Sequence, residues 1–217
     1  MSFKTSVILS GGKGTRMKPI TNYIPKALVE VSGKTLINHV FDMIGPKTKK
    51  YVTYGHKSEV LFNTTKLDVD GYINTTNKDN SYFLYNSFIK HIDEPIIVSP
   101  CDMFMEIDLK RVYNNYIELG SPAIMVVGVT PVDGVDGDFI EYDENNRIIR
   151  LDREKITDRY CSGLQIINPY RVNNVTKKCD NFYDVWKQLM DIRNLKISNV
   201  IPNKWGCYDN IEQIKNI

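Results

Sequence analysis

Apolar residues in the first half of the chain follow two alternating rhythms. Short runs at residues 5–9, 50–55, 69–74, 95–99 and 123–129 are rich in β-branched and aromatic residues, which predicts buried strands. Between them, residues 35–44, 81–92 and 109–119 carry apolar side chains at i, i+3 and i+4, which predicts helices; 59–66 shows a weaker helical pattern. Strand–helix alternation of this kind implies βαβ units, a mostly parallel sheet and an α/β fold. Such sheets bind ligands beyond the carboxyl ends of their strands. The residues that follow each strand are therefore the place to look for chemistry.

The second half reads differently. Residues 130–138 carry Pro131, Gly134 and Gly137 and predict a loop. Runs at 139–142 and 148–151 flank Asp143-Glu144-Asn145-Asn146, the signature of a hairpin turn. A strand over 160–167, a helix over 182–192 and a late strand over 196–201 complete the pattern. No internal repeat is visible, and the whole of 1–217 reads as a single domain.

Composition narrows the function classes. With 42 % hydrophobic and 25 % charged residues in 217, the chain can bury a sizeable core. Its 28 basic and 26 acidic side chains leave a net charge of +2, which argues against bulk nucleic-acid binding but not against a local anion site. No apolar run approaches the roughly 20 residues of a membrane helix, and Met1-Ser2-Phe3-Lys4 leads straight into a strand without a signal-peptide pattern. A cytoplasmic protein is expected. Cys101, Cys161, Cys179 and Cys207 are isolated from one another, as are His39, His56 and His91. Ordinary reduced thiols are expected rather than a structural zinc site.

The most informative stretch is Ile8-Leu9-Ser10-Gly11-Gly12-Lys13-Gly14-Thr15-Arg16-Met17-Lys18-Pro19, directly after the first strand. Its glycines allow positive φ and let backbone N–H groups approach an anion. Lys13, Arg16 and Lys18 add positive charge, and Arg16 can grip phosphate oxygens in a fork. The spacing is not that of a Walker A loop, and Met17 breaks a G-x-G-x-x-G fingerprint. The plain alternative is a glycine-rich turn without a ligand. Downstream, Pro25 fixes the approach to Lys26, whose ammonium can meet a second phosphate.

Taken together, the run from Gly12 to Pro19 followed by Pro25-Lys26 resembles the signature of the sugar-1-phosphate nucleotidylyltransferases, G-x-G-T-R-[LM]-x-P and then P-K. The resemblance implies a Rossmann-like mixed, mostly parallel sheet flanked by helices, with a β-hairpin acceptor-binding subregion. Residues 1–129 would form the nucleotide-binding part and 130–217 the acceptor-binding part. It implies that Leu9, Gly11, Gly12, Lys13, Gly14 and Thr15 bind a nucleoside triphosphate and that Arg16 and Lys26 are catalytic. The partners would be that triphosphate and a phosphorylated small molecule, a sugar 1-phosphate foremost, with no nucleic acid and no membrane.

Asp102, after the apolar run 95–99, matches the family's Mg²⁺-binding aspartate, although Pro100-Cys101 replaces the usual residues before it. A carboxylate at a strand's end is well placed to hold Mg²⁺ between phosphate oxygens; the bland reading is a turn aspartate. Gly137, the pair Glu154-Lys155 and Gly163 resemble the acceptor-binding segments, with Ile156 where the family has proline. Solvated charges at 154 and 155 and simple tight packing at Gly163 are the alternatives. Near the end, Trp205-Gly206-Cys207-Tyr208-Asp209 resembles the segment that supplies a second metal ligand. Cys207 holds the usual acidic position and Asp209 follows two residues later, so that either Asp209, the favoured candidate, or Cys207 takes the second metal position, or Mg²⁺ relies on Asp102, phosphates and water.

Base choice is less marked. The stretch 74–85 lacks the Gly-Thr of uridylyl- and thymidylyltransferases and looks more like a region of bacterial choline-phosphate cytidylyltransferases. Asn80 and Ser81 are candidates to read a pyrimidine edge, CTP or UTP, or to cap the following helix. A cytidylyltransferase for a phosphorylated alcohol such as choline phosphate is the rival reading. Tyr142, Tyr160, Tyr170 and Phe182 would be its aromatic candidates for holding a cation. A nucleotide-binding sensor without chemistry is the rival of another class.

Overall fold

The computed structural model describes residues 2–64, 67–132, 135 and 137–215. The chain opens with β1 (Thr5–Leu9), a small hairpin of β2 (Glu30–Val31) and β3 (Lys34–Thr35), and α1 (Leu36–Ile44). It continues through β4 (Lys49–Tyr54), α2 (Ser58–Thr64), β5 (Gly71–Asn74), α3 (Tyr82–Asn86), β6 (Ile96–Pro100), β7 (Met103–Glu106), α4 (Leu109–Glu118) and β8 (Ile124–Val129). The remainder is β9 (Phe139–Tyr142), β10 (Ile148–Asp152), β11 (Tyr160–Ile167), α5 (Pro169–Val175), α6 (Phe182–Asp191), β12 (Leu195–Ile197), β13 (Lys204–Cys207) and α7 (Ile211–Lys215).

Strands β5, β4, β1 and β6 lie side by side and parallel. Beyond β6 comes β11, antiparallel to it and to β8, and β12 then pairs parallel with β8. The β9–β10 hairpin joins this sheet where Phe139 meets Tyr160. The result is the expected mixed, mostly parallel α/β sheet with an attached hairpin.

Both faces of the sheet are covered, and the strands show it residue by residue. Ile8, Ile97, Met125 and Val127 point into a core layer shared with Ile37, Val40 and Phe41 of α1 and Val112 and Tyr116 of α4. Their neighbours Val7, Ile96, Val98, Ile124 and Val126 point the other way, against Phe83 of α3 and Phe182, Val185 and Leu189 of α6. Alternate side chains of one strand thus feed opposite layers, which is why the runs read as continuously apolar.

Several predicted elements change on folding. The helix expected over 81–92 breaks: α3 ends at Asn86, and a short 3-10 turn occupies Phe88–His91. Ser87 causes the break, since its extended backbone caps the 3-10 turn and its hydroxyl donates to the Phe83 carbonyl. Neither Asn80 nor Ser81 caps α3 with its side chain. Ser81 donates to the Cys179 carbonyl, and Asn80 accepts from the Phe182 N–H at the start of α6. The late strand expected over 196–201 ends at Ile197. The pattern over 59–66 forms α2, with residues 65 and 66 outside the described part, as are 133, 134 and 136 of the 130–138 loop.

Candidate active site

The glycine loop leaves the sheet through a set of backbone ties. Ser10 donates its N–H to Thr53 Oγ1 at 3.0 Å and its hydroxyl to the Thr53 carbonyl at 2.6 Å, and the His56 N–H reaches the Gly11 carbonyl at 3.1 Å. The loop is thereby pinned to the end of β4. Gly14 sits at φ +58°, and a Cβ there would lie 2.9 Å from Thr21 Cγ2 and 3.1 Å from Lys26 Cβ. Only glycine accepts both the left-handed backbone and the close approach of Lys26. Met17, fully buried, anchors the following turn and leaves Arg16 59 % exposed.

Two adjoining clefts open over the ends of β1, β4 and β5. One, of about 500 Å³, is lined by Leu9, Gly11, Gly12, Thr75, Lys78, Asn80 and Tyr183, among others. Its neighbour, of about 740 Å³, shares Gly11 and Gly12 and adds Lys13, His56 and Lys57. Leu9, Gly11, Gly12, Lys13 and Asn80 of the expected nucleotide site are therefore brought together. Ser81 is not: it is fully buried and its hydroxyl is already committed.

A second focus forms beside the loop. The Lys26 ammonium bonds Asp102, and it reaches Asp209 Oδ1 at 2.8 Å; Arg16 meets the same oxygen at 3.0 Å. Asp102 is delivered by the end of β6, where the Cys101 N–H ties to the Leu9 carbonyl at 3.1 Å. Asp209 arrives from the far end of the chain. The β7–β13 ladder pairs Cys207 with Met103, and the Tyr208 N–H donates to the Asp102 carbonyl at 2.8 Å. Burial opposes the charge on Lys26, but Asp102 and Asp209 outweigh it and hold the ammonium well above its usual pKa. Burial alone would raise Asp209; its bond to Lys26 and the charges of Lys26 and Arg16 overcome this and hold the carboxyl below the usual range. Cys207 lies close to Asp209, and burial, reinforced by both aspartates, pushes its thiol up.

The expected acceptor residues lie around the hairpin. Gly163, at φ +84°, packs its Cα face against Pro100, where a Cβ would come within 2.7 Å of Pro100 Cγ. It is both a tight packing position and a neighbour of the Asp102 turn. Gly137 backs onto the Tyr160 ring. Glu154 is exposed, its N–H donating to Asp152 Oδ1 at 2.9 Å, while Lys155 Nζ meets Glu141 Oε2 at 2.9 Å. Glu141 also binds Arg150 at 2.9 Å, so Lys155 belongs to an exposed charge network at present.

Sequence reasoning misses two residues at this place. Tyr183 lines the smaller cleft and donates its hydroxyl to the nearly buried Asp138 at 2.6 Å; burial and that bond raise the phenol to about 12. Asn181 lines the same cleft at the N-cap of α6. The periodicity of 182–192 gives no sign that the first turn of this helix faces a ligand cleft. Of the four aromatics considered for a choline pocket, Tyr142 and Tyr170 are exposed and the other two are separated. Tyr160 belongs to one core layer and Phe182 to the other, on opposite faces of the sheet.

Residues 5–155 match the nucleotidyl transferase family. The chain belongs to that family. The resemblance carried by the glycine loop and Pro25-Lys26 thus holds at the level of this family. It is 25 % identical to the bifunctional protein GlmU of Methanococcus aeolicus over 98 % of this chain and 55 % of that protein. It is 56 % identical over 41 residues to the N-acetylmuramate alpha-1-phosphate uridylyltransferase of Caulobacter vibrioides, covering 19 % of this chain and 17 % of that one. The chain thus spans about half the length, or less, of these curated relatives. Among solved structures it is similar to a UDP-glucose pyrophosphorylase complexed with UDP-glucose, with a TM-score of 0.77 at 16 % identity over 99 % of this chain and 96 % of that one. It is also similar to the inositol-1-phosphate CTP transferase from T. maritima, with a TM-score of 0.75 at 16 % identity over 98 % and 91 %. These structural likenesses establish the fold. Among the described residues no helix is long and apolar enough to cross a membrane.

Proposed function

We propose that this nucleotidyltransferase moves a nucleoside monophosphate from CTP or UTP to the phosphate of a sugar 1-phosphate. An acceptor phosphate oxygen attacks the α-phosphorus, the bond from that phosphorus to the bridging oxygen breaks, and pyrophosphate leaves. The acceptor phosphate is ionised near neutral pH, so no base has to remove a proton. The work lies in bringing two polyanions together and stabilising the charge that gathers on the leaving group.

The observation that carries this reading is the Lys26 ammonium held between Asp102 and Asp209 beside the glycine loop. Two carboxylates converging on one cation form a donor set that fits a divalent metal ion. A divalent ion, Mg²⁺ by the family resemblance alone, would supply charge neutralisation at the triphosphate when bound. Backbone N–H groups of Gly11, Gly12, Gly14 and Thr15, with Lys13, hold the phosphates, with Leu9 beneath the nucleoside. Arg16 stabilises the leaving pyrophosphate, and Lys26 neutralises the α-phosphate and the incoming oxygen. Asn80 faces the cleft where a base edge would lie. Gly137, Glu154, Lys155 and Gly163 receive the acceptor, so that residues 1–129 serve mainly the nucleotide and 130–217 mainly the acceptor within one domain, with Tyr183 and Asp209 of the second part reaching the nucleotide cleft and the cation.

A sugar is favoured over a choline-like acceptor because two of the aromatic candidates for a quaternary cation, Tyr160 and Phe182, lie in different core layers. The test is pyrophosphate release with CTP, UTP, GTP, ATP and dTTP against sugar 1-phosphates, inositol 1-phosphate and choline phosphate. Release with one pyrimidine nucleotide and one sugar 1-phosphate, lost in Arg16→Ala and Asp102→Ala, is expected. Nucleotide binding without release from any pair would instead indicate a sensor. Release with choline phosphate alone would overturn the acceptor assignment.

A further inference from the structure

The third group at the Lys26 cluster is a thiol. Cys207 ends β13, and the β7–β13 register sets it opposite Met103, the residue after Asp102. Its Sγ and one carboxylate oxygen from each of Asp102 and Asp209 all lie within 4.8 Å of one another. Atoms that share one divalent ion lie roughly 3 Å apart when adjacent and roughly 4.5 Å apart when opposite. The three therefore fit a single coordination sphere. All three residues are only partly buried, so phosphate oxygens and water can reach the remaining positions.

Resting on the transferase reading above, we propose that Cys207 is a ligand of the divalent ion, giving an O,O,S donor set that binds Mn²⁺ or Co²⁺ in preference to Mg²⁺. Mg²⁺ is a hard ion that demands oxygen ligands and gives up water reluctantly. Thiolate sulfur favours softer ions of the first transition row. On ligation the thiol loses its proton to solvent, and Cys207 and Asp209, now merely close together, each bond the same ion. Lys26 must swing off those carboxylate oxygens at the same moment, which frees its ammonium for the α-phosphate. The competing account is that Cys207 merely packs the hairpin and steadies Asp209. That account provides for no sulfur–metal bond.

The experiment is Co²⁺ titration of the full chain, with and without CTP or UTP, followed by ultraviolet absorption. A sulfur-to-cobalt charge-transfer band is expected in the wild type and in Cys161→Ser, and its absence in Cys207→Ser. Displacing the cobalt signal should need at least about tenfold more Mg²⁺ than Mn²⁺, a gap that narrows in Cys207→Asp. Cadmium NMR of the wild-type chain reads sulfur ligation without any substitution, should Cys207→Ser fold poorly. Cobalt binding without the band, a band that survives Cys207→Ser, or no metal binding in any state overturns the proposal. Pyrophosphate release is a separate readout: activity without the band removes this assignment alone, and the band without activity removes the transferase reading alone.

Discussion

Lys26 and Asp209, far apart in sequence, form a 2.8 Å ion pair at the mouth of the sheet. The same ammonium bonds Asp102, so it screens two carboxylates from each other. Like charges about 4 Å apart repel by about 4 kcal/mol at the effective dielectric of a protein surface. Whatever cation lies between these groups is therefore firmly held, and a metal ion and Lys26 compete for the same oxygens.

Replacing Lys26 by alanine should separate two roles. Turnover should fall about 10²–10³-fold, the usual loss for one charge-stabilising group. Mn²⁺ affinity should rise, because the ammonium no longer competes for Asp102 and Asp209. Pyrophosphate release and calorimetric metal titration together check this. Weaker metal binding in Lys26→Ala would show that the ammonium supports the ion instead of contesting its place.

The pair also sets a pH dependence. Asp209 has a folded pKa below its unfolded one, so its contribution to stability is complete above the unfolded value. That contribution is lost as the pH falls through the depressed folded value. Metal-free protein should thus lose urea resistance on acidification into and below the ordinary carboxylate range. Asp209→Asn should be less stable near neutral pH but show a shallower acid loss. Parallel curves for the two proteins would place the pH dependence elsewhere.

How much of this could be read from the sequence follows from how local each feature is. The glycine loop, Lys26 and Asp102 each sit within a few residues of a strand run, and their surroundings announce them. The β7–β13 ladder does not, for it joins two four-residue segments from opposite parts of the chain with no periodicity to reveal the pairing. For that reason the sequence leaves Asp209 and Cys207 as alternatives, whereas the folded chain brings Asp209 to Lys26 and sets Cys207 near both aspartates. The β2–β3 hairpin is equally hidden, its turn relying on positive φ at Ser32, where serine is an unusual choice. Tyr183 escapes notice because an amphipathic pattern records which face is buried, not what the first turn of the helix overlooks.

Gly12 and Gly14 should respond oppositely to alanine. A Cβ on Gly12 meets nothing within 4 Å, whereas on Gly14 it meets Thr21 and Lys26 and must adopt φ +58°. Gly14→Ala should cost about 1–2 kcal/mol from the left-handed backbone, with more from the contacts. It should also cut turnover by displacing Lys26. Gly12→Ala should keep its denaturation midpoint and lose mainly nucleotide affinity, since Gly12 borders both clefts. Equal loss of stability in both would mean that the loop is less firmly pinned than its ties to Thr53 and His56 indicate.

Lys155 offers the sharpest test of the acceptor side. Its ammonium is engaged with Glu141, but Glu141 keeps Arg150 as a second partner at 2.9 Å when Lys155 is removed. Lys155 is exposed, and exposed ion pairs contribute little to stability. Lys155→Ala should therefore melt with the wild type. If the ammonium anchors the acceptor phosphate, KM for the acceptor should rise roughly 10- to 100-fold, the worth of one charge-assisted bond. KM for the nucleotide should not move, because Lys155 lies on the acceptor part of the chain. Lys155→Arg should recover part of the loss, whereas a simple surface charge would leave all three proteins alike. Steady-state kinetics with each substrate varied in turn distinguish the two, and an unchanged acceptor KM would move the phosphate anchor to another cation.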